Sequence, residues 1–184
     1  MTLGHCIIRN MFKKISIVVL AVLAVFIFGQ ISYAKPADLS PEKESIIKQT
    51  CVSAQTVLQR IQHNDAATRV NRGQGYETIV SRLMVPLNTR TTSNGYNDSA
   101  PLLIDTTKNF QQALENFKED YESYDNSVSA ALRIKCQDKP ADFYGYLEDA
   151  RSERQKVSNG ITNLAGLIGE YRVNVLKLNN EVQQ

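Results

Sequence analysis

The residues of this sequence that could do chemistry are few, and arginine dominates them. Asp65, Arg69 and Arg72 stand four and three apart, a spacing that puts all three on one face of a helix. Asp120, Tyr121 and Tyr124 form a second polar group, and Glu153 with Arg154 a third. A guanidinium offers its donors in a flat fork that suits a carboxylate or a phosphate. Such groups can pair with one another, or they can hold a small anion between helices. Buried charges usually occur paired, so a polar network that sets helix register is the simpler expectation. An anion site is the alternative, because Arg69, Arg72 and Arg154 outnumber the acids expected to face inward.

Catalysis has less to build on. His63 is the one histidine beyond residue 34, and its neighbours Gln62 and Asn64 mark a solvated stretch of helix. A Ser-His-Asp or Cys-His arrangement would have to use it. No Glu-x-x-His pair occurs, which excludes a ferritin-like di-metal bundle. No Cys-x-x-Cys-His occurs, which excludes covalent c-type haem. There is no glycine-rich phosphate loop. His63 with Met84 is a nominal haem pair of a kind that arises by chance in helices. The sequence therefore predicts no enzyme, no cofactor and no metal site.

For the polar groups to meet, helices must carry them to one level. Ser40, Pro41 and Glu42 read as an N-cap, a first-turn proline and an early acid. Ile47, Cys51, Ala54, Leu58 and Ile61 follow at helical spacing, and the same phase runs on through Asp65, Arg69, Arg72, Tyr76, Ile79, Leu83 and Leu87. A turn at Asn64-Asp65 would reset that phase, so one helix from Pro41 to about Thr92 is expected, weakened at Gly73 and Gly75 and kinked at Pro86. Ser93-Asn94-Gly95 should end it. A second helix, from Ser99 or Asp105, carries Leu103, Thr107, Phe110, Leu114, Phe117, Tyr121, Tyr124, Val128 and Ala131 in alternating steps of four and three. A third, opened by Pro140, keeps the same alternation from Phe143 to Val182, with Arg154 its one charge. Gly145, Gly160, Gly166 and Gly169 lie off that stripe. The fold predicted is an all-α, elongated antiparallel bundle of three long coiled-coil-like helices, with a four-helix up-down bundle as alternative.

Cys51 and Cys136 discriminate between the two. A disulfide needs Cα atoms within about 7 Å of each other. Three helices leave the pair about five residues out of level, or ~7–8 Å, which a loop absorbs. An extra hairpin at Asn64-Asp65 would separate them by ~33 Å. A bridge therefore implies three helices.

The N-terminal residues speak to location. Arg9, Lys13 and Lys14 precede an apolar run from Ile15 to Phe28, and Ser32-Tyr33-Ala34 offers small residues for cleavage. The expected organisation is a signal peptide over 1–34 and one helical domain over 35–184. An uncleaved anchor through residues 15–31 is the alternative, and the only membrane contact foreseen. Cys6 leaves with the signal, so Cys51 and Cys136 remain an even pair in an oxidising compartment. The 21 basic residues fall one short of the 19 acids once those three cations are removed, so no field remains to hold nucleic acid. Asn97-Asp98-Ser99 matches a glycosylation sequon. The function expected is that of an exported, non-enzymatic module at the cell envelope or outside the cell, acting through a protein partner whose identity is unreadable. A small-anion binder using the arginines is the competing class.

Overall fold

A computed structural model describes residues 38–183. The expected signal segment, its anchor alternative, Cys6 and the cleavage point after Ala34 lie outside the described residues. Helix α1 spans Pro41–Thr78, and its start is as the local chemistry dictates: the Ser40 hydroxyl accepts from the Lys43 N–H, Pro41 sits in the first turn, and Glu42 and Glu44 face the positive end of the dipole. A π-helical turn, Ile79–Met84, then joins α1 to α2, Val85–Ser93, without a break in the rod. Pro86 is the cause. It has no N–H to donate, and its ring crowds the carbonyl four residues back. The backbone widens just before it, so that the Val85 N–H reaches the Val80 carbonyl five residues away. The predicted kink is therefore a π turn.

The rod ends at Gly95, whose φ of 76° is open to glycine at no steric cost. Tyr96 N–H donates to the Thr91 carbonyl and Gly95 N–H to that of Thr92, which closes the helix in a Schellman arrangement. Helix α3 spans Ala100–Arg133 and α4 spans Pro140–Val182. Among the described residues three long helical rods thus stand where the sequence offered three or four, and α1 runs unbroken through Asn64-Asp65. Contacts fix the directions. Gln55 meets Ala131, Asp65 meets Tyr124 and Asn88 meets Thr107, so the first rod is antiparallel to α3. Ser99 meets Glu181, Thr106 meets Asn174 and Phe117 meets Gly160, so α3 is antiparallel to α4.

All nine residues of the α3 stripe, from Leu103 to Ala131, are buried. Along α4, Phe143, Ala150, Leu164, Tyr171 and Leu178 are buried, while Arg154 and Val182 at stripe positions face solvent. Over Pro41–Thr78 only Cys51 is buried. Helices α3 and α4 therefore form the packed body, and α1 rests against it through partly buried side chains, Ile47 and Ala54 beside the bridge, Leu58 on Tyr121, Tyr124 and Val128, and Tyr76 beyond. At one end Cys51, Ala131, Cys136 and Phe143 cluster; at the other Met84, Phe110, Phe117, Leu164 and Tyr171 do. Cys51 and Cys136 are bonded, their Cα atoms 6.0 Å apart, at the level that three helices require.

Candidate anion-binding cleft

Between the two packed ends the phase of α1 brings polar side chains to the interface. Asp65, Arg69 and Arg72 cannot be buried as a leucine can, and α1 does not close onto α3 and α4 there. A cleft of about 500 Å³ remains at mid-height. Six of the eight polar residues singled out in the sequence line it: Asp65, Arg69 and Arg72 from α1, Tyr121 and Tyr124 from α3, and Arg154 from α4. Asp120 and Glu153 do not. Glu153 pairs with Lys156 at 2.9 Å on the outer seam, where the Asp120 charge also acts on that lysine.

Asp65 is the cleft's one carboxylate, and it is already engaged. The Tyr124 hydroxyl donates to its Oδ2 at 2.7 Å, and Arg154 Nε approaches the same oxygen at 3.5 Å. Burial, and next the hydrogen bond to Asp65, push the Tyr124 phenol far above its ordinary value, so it stays a donor at any physiological pH. Arg154 is not enclosed; its side chain is 60% exposed. Arg69 and Arg72 are exposed, and among the described residues neither has a carboxylate within ion-pair distance. Arg69 instead lies over the Tyr121 ring, 4.8 Å from its centroid, a cation–π contact that holds the guanidinium at the rim.

Tyr121 presents the one anomaly. It is 3% exposed, its ring meets that of Tyr124 edge-on at 5.7 Å, and its hydroxyl is buried with no hydrogen-bond partner among the described residues. Such an orphan usually signals an unseen partner. Burial, then the Asp125 and Asp65 charges, raise its phenol, which keeps it a neutral donor.

No protein family matches this chain, and neither a curated protein nor a solved structure does. Its cleft must be read from its own chemistry.

Sequence reasoning missed the rest of the lining. Arg151 sits three residues before Arg154 on the same face, a spacing that could have flagged it, and it pairs with Glu148. Phe117, Val157 and Ile161 supply an apolar wall, which their stripe positions had assigned wholly to the core. His63 lies elsewhere, on an outer face of α1 with Thr56, Gln59, Arg60 and Asn64. It is separated from the buried Met84 by roughly 30 Å of helix at about 1.5 Å per residue, so the two cannot share a haem.

Proposed function

We propose that this chain is an exported, non-enzymatic binding protein whose mid-bundle cleft holds a small anion. Arg69, Arg72 and Arg154 supply the positive charge, and the Tyr121 hydroxyl supplies a neutral donor. The observation that carries this reading is the pairing of two acid-free arginines with a buried hydroxyl that lacks a partner, all on one cleft. A saturated network would have spent Asp120 and Glu153 on those arginines; it spends Glu153 on Lys156. Turnover has no support in the lining, which holds no histidine or cysteine and whose one carboxylate is committed to Tyr124 and Arg154.

Contact with a protein partner has weaker support. The exposed apolar residues of α1 do not form a stripe: at about 100° per residue Ile46 and Val57 share one side and Val52 and Val70 another. Export is supported by the bonded cysteines, which belong to an oxidising compartment, together with the N-terminal run read from the sequence. Among the described residues no helix is long and apolar enough to cross a membrane.

The test is thermal denaturation with inorganic phosphate or sulfate against chloride at equal ionic strength. These anions also stabilise proteins generally by exclusion from the surface, so the comparison must include Arg69→Gln with Arg72→Gln. The parent Tm is expected to rise more than that of the double variant, which in chloride should be no less stable than the parent. Equal responses would remove the anion site.

A further inference from the structure

An inorganic anion would leave most of the cleft empty. The space is about 500 Å³, within the range that encloses an organic molecule of drug size. Its two ends differ. Towards the disulfide, Asp65, Tyr124 and Arg154 stand together; towards Gly95, the lining becomes Phe117, Val157 and Ile161. Phe117 is 1% exposed and fixed from two sides. Tyr76 meets it edge-on at 6.0 Å, and Gly160 admits α4 so closely that a Cβ there would lie 3.6 Å from it. That wall is a built feature of α3 and α4, held by the core behind it. Arg69 and Arg72 reach over the same stretch from α1, about one helical turn apart.

Resting on the anion reading above, we propose that the ligand is an amphiphilic organic anion. Its carboxylate, sulfonate or phosphate group sits between Arg69, Arg72 and the Tyr121 hydroxyl, and its apolar body lies along Phe117, Val157 and Ile161. The arginines answer the charge, and the body removes from water the part-exposed Val157 and Ile161, with Phe117 fixed beside them. A doubly committed Asp65 repels a second negative group at the far end of the cleft, so the ligand carries its charge at one end only.

A series with one head group and growing bodies tests this on the full chain: methanesulfonate, benzenesulfonate and 1-naphthalenesulfonate, with 1-naphthalenemethanol as the uncharged control, each titrated by calorimetry. Affinity is expected to rise at least tenfold from the first to the last sulfonate. Arg69→Gln with Arg72→Gln should abolish binding throughout the series. Ile161→Asn, at a half-buried position packed beside the core, should bring 1-naphthalenesulfonate down to the affinity of methanesulfonate. Equal, arginine-dependent affinity across the series overturns the amphiphile and leaves the anion site standing. Binding of the alcohol as tightly as of the sulfonate, or no binding by any probe, overturns both.

Discussion

At the scale of single residues, Asp65 decides what the cleft can do. Its Oδ2 takes the Tyr124 hydroxyl and stands near Arg154, which leaves Arg69 and Arg72 without an acid. The two partnerships differ in worth. Arg154 is mostly solvated, so Arg154→Ala should cost less than about 1 kcal/mol, as exposed pairs do. Tyr124 is buried, and Tyr124→Phe strips a partly buried carboxylate of its donor at a cost of about 1–3 kcal/mol. Chemical denaturation of both variants should rank them in that order; the reverse order would mean that Arg154 holds the helices together. The phenols also predict an alkaline limit. Burial holds Tyr121, Tyr124 and Tyr171 above their ordinary value, Tyr171 up to about 12. In the unfolded chain they ionise near about 10, so above that pH the unfolded state releases protons that the folded state keeps. Their contribution is fully present below pH ~10 and is lost as pH rises through the folded values, at about 1.4 kcal/mol per pH unit for each phenol held neutral. A tyrosinate absorbance titration of the native protein should leave Tyr124 and Tyr171 protonated at a pH of about 11. Ionisation of every tyrosine by that pH, with the fold intact, contradicts the assignment.

At the scale of elements, α3 is finished by its neighbours. Its N-terminus carries no side-chain cap of its own; the Glu181 carboxylate, from the last turn of α4, accepts from the Asp98 and Ser99 N–H groups at 3.4 and 3.1 Å. At the opposite end the Gln55 amide of α1 donates to the carbonyls of Ala131 and Ile134 at 2.8 and 3.0 Å. These caps fix the level of α1 and α4 against α3, and so fix which residues meet at mid-height. The π turn is held in a similar way. Tyr171 shares its hydroxyl proton between Asn88 Oδ1 at 2.9 Å and the Met84 carbonyl at 3.2 Å. Glycines on α4 divide by surroundings. Gly160 packs on Phe117, whereas a Cβ at Gly166 or Gly169 would meet nothing within 4 Å. Gly166→Ala and Gly169→Ala should each stabilise the fold by up to about 1 kcal/mol in thermal melts. Destabilisation by either would reveal that its open face is covered in the working protein.

At the scale of the whole domain, stability is uneven by construction. The α3–α4 pair holds the continuous core, and α1 is tied down by the disulfide cluster, by Gln55 and by the Gln62 amide, which donates to Asp125 and Ser129. The bridge closes a loop of 85 residues in sequence, and its loss should cost about 2–5 kcal/mol. The loss should not spread evenly. In the variant carrying Cys51→Ser and Cys136→Ser, hydrogen exchange should accelerate first across Pro41–Thr78 while Ala100–Arg133 stays protected. Uniform acceleration would show that α1 and the α3–α4 pair unfold as one cooperative unit. Exposed Arg69 and Arg72 keep α1 from closing over the stretch beyond Asp65, which gives the cleft its opening.

The amino-acid sequence by itself determined the helices and their order. The heptad alternation from Leu103 to Ala131 can be satisfied only by burying one stripe, and every member of it is buried. The unbroken phase through Asn64-Asp65, with the position of Cys136, settled three rods over four. Punctuation was equally local: Ser40, Pro86, Gly95 and Pro140 act on their own backbone, through a hydroxyl, a missing N–H or a left-handed φ. What tertiary structure alone decided is how the polar residues are spent. Stripe position put Arg154 at the interface, yet the flexible arginine stem carries its charge out to solvent. Periodicity could not say that Glu153 would choose Lys156, that Asp65 would serve Tyr124, or that Tyr121 would find no partner. Hydrophobic burial depends on the period of a pattern, which one chain segment carries within itself. A hydrogen bond or ion pair depends on ångström-scale distances between segments remote in sequence, and those exist only once the helices have packed.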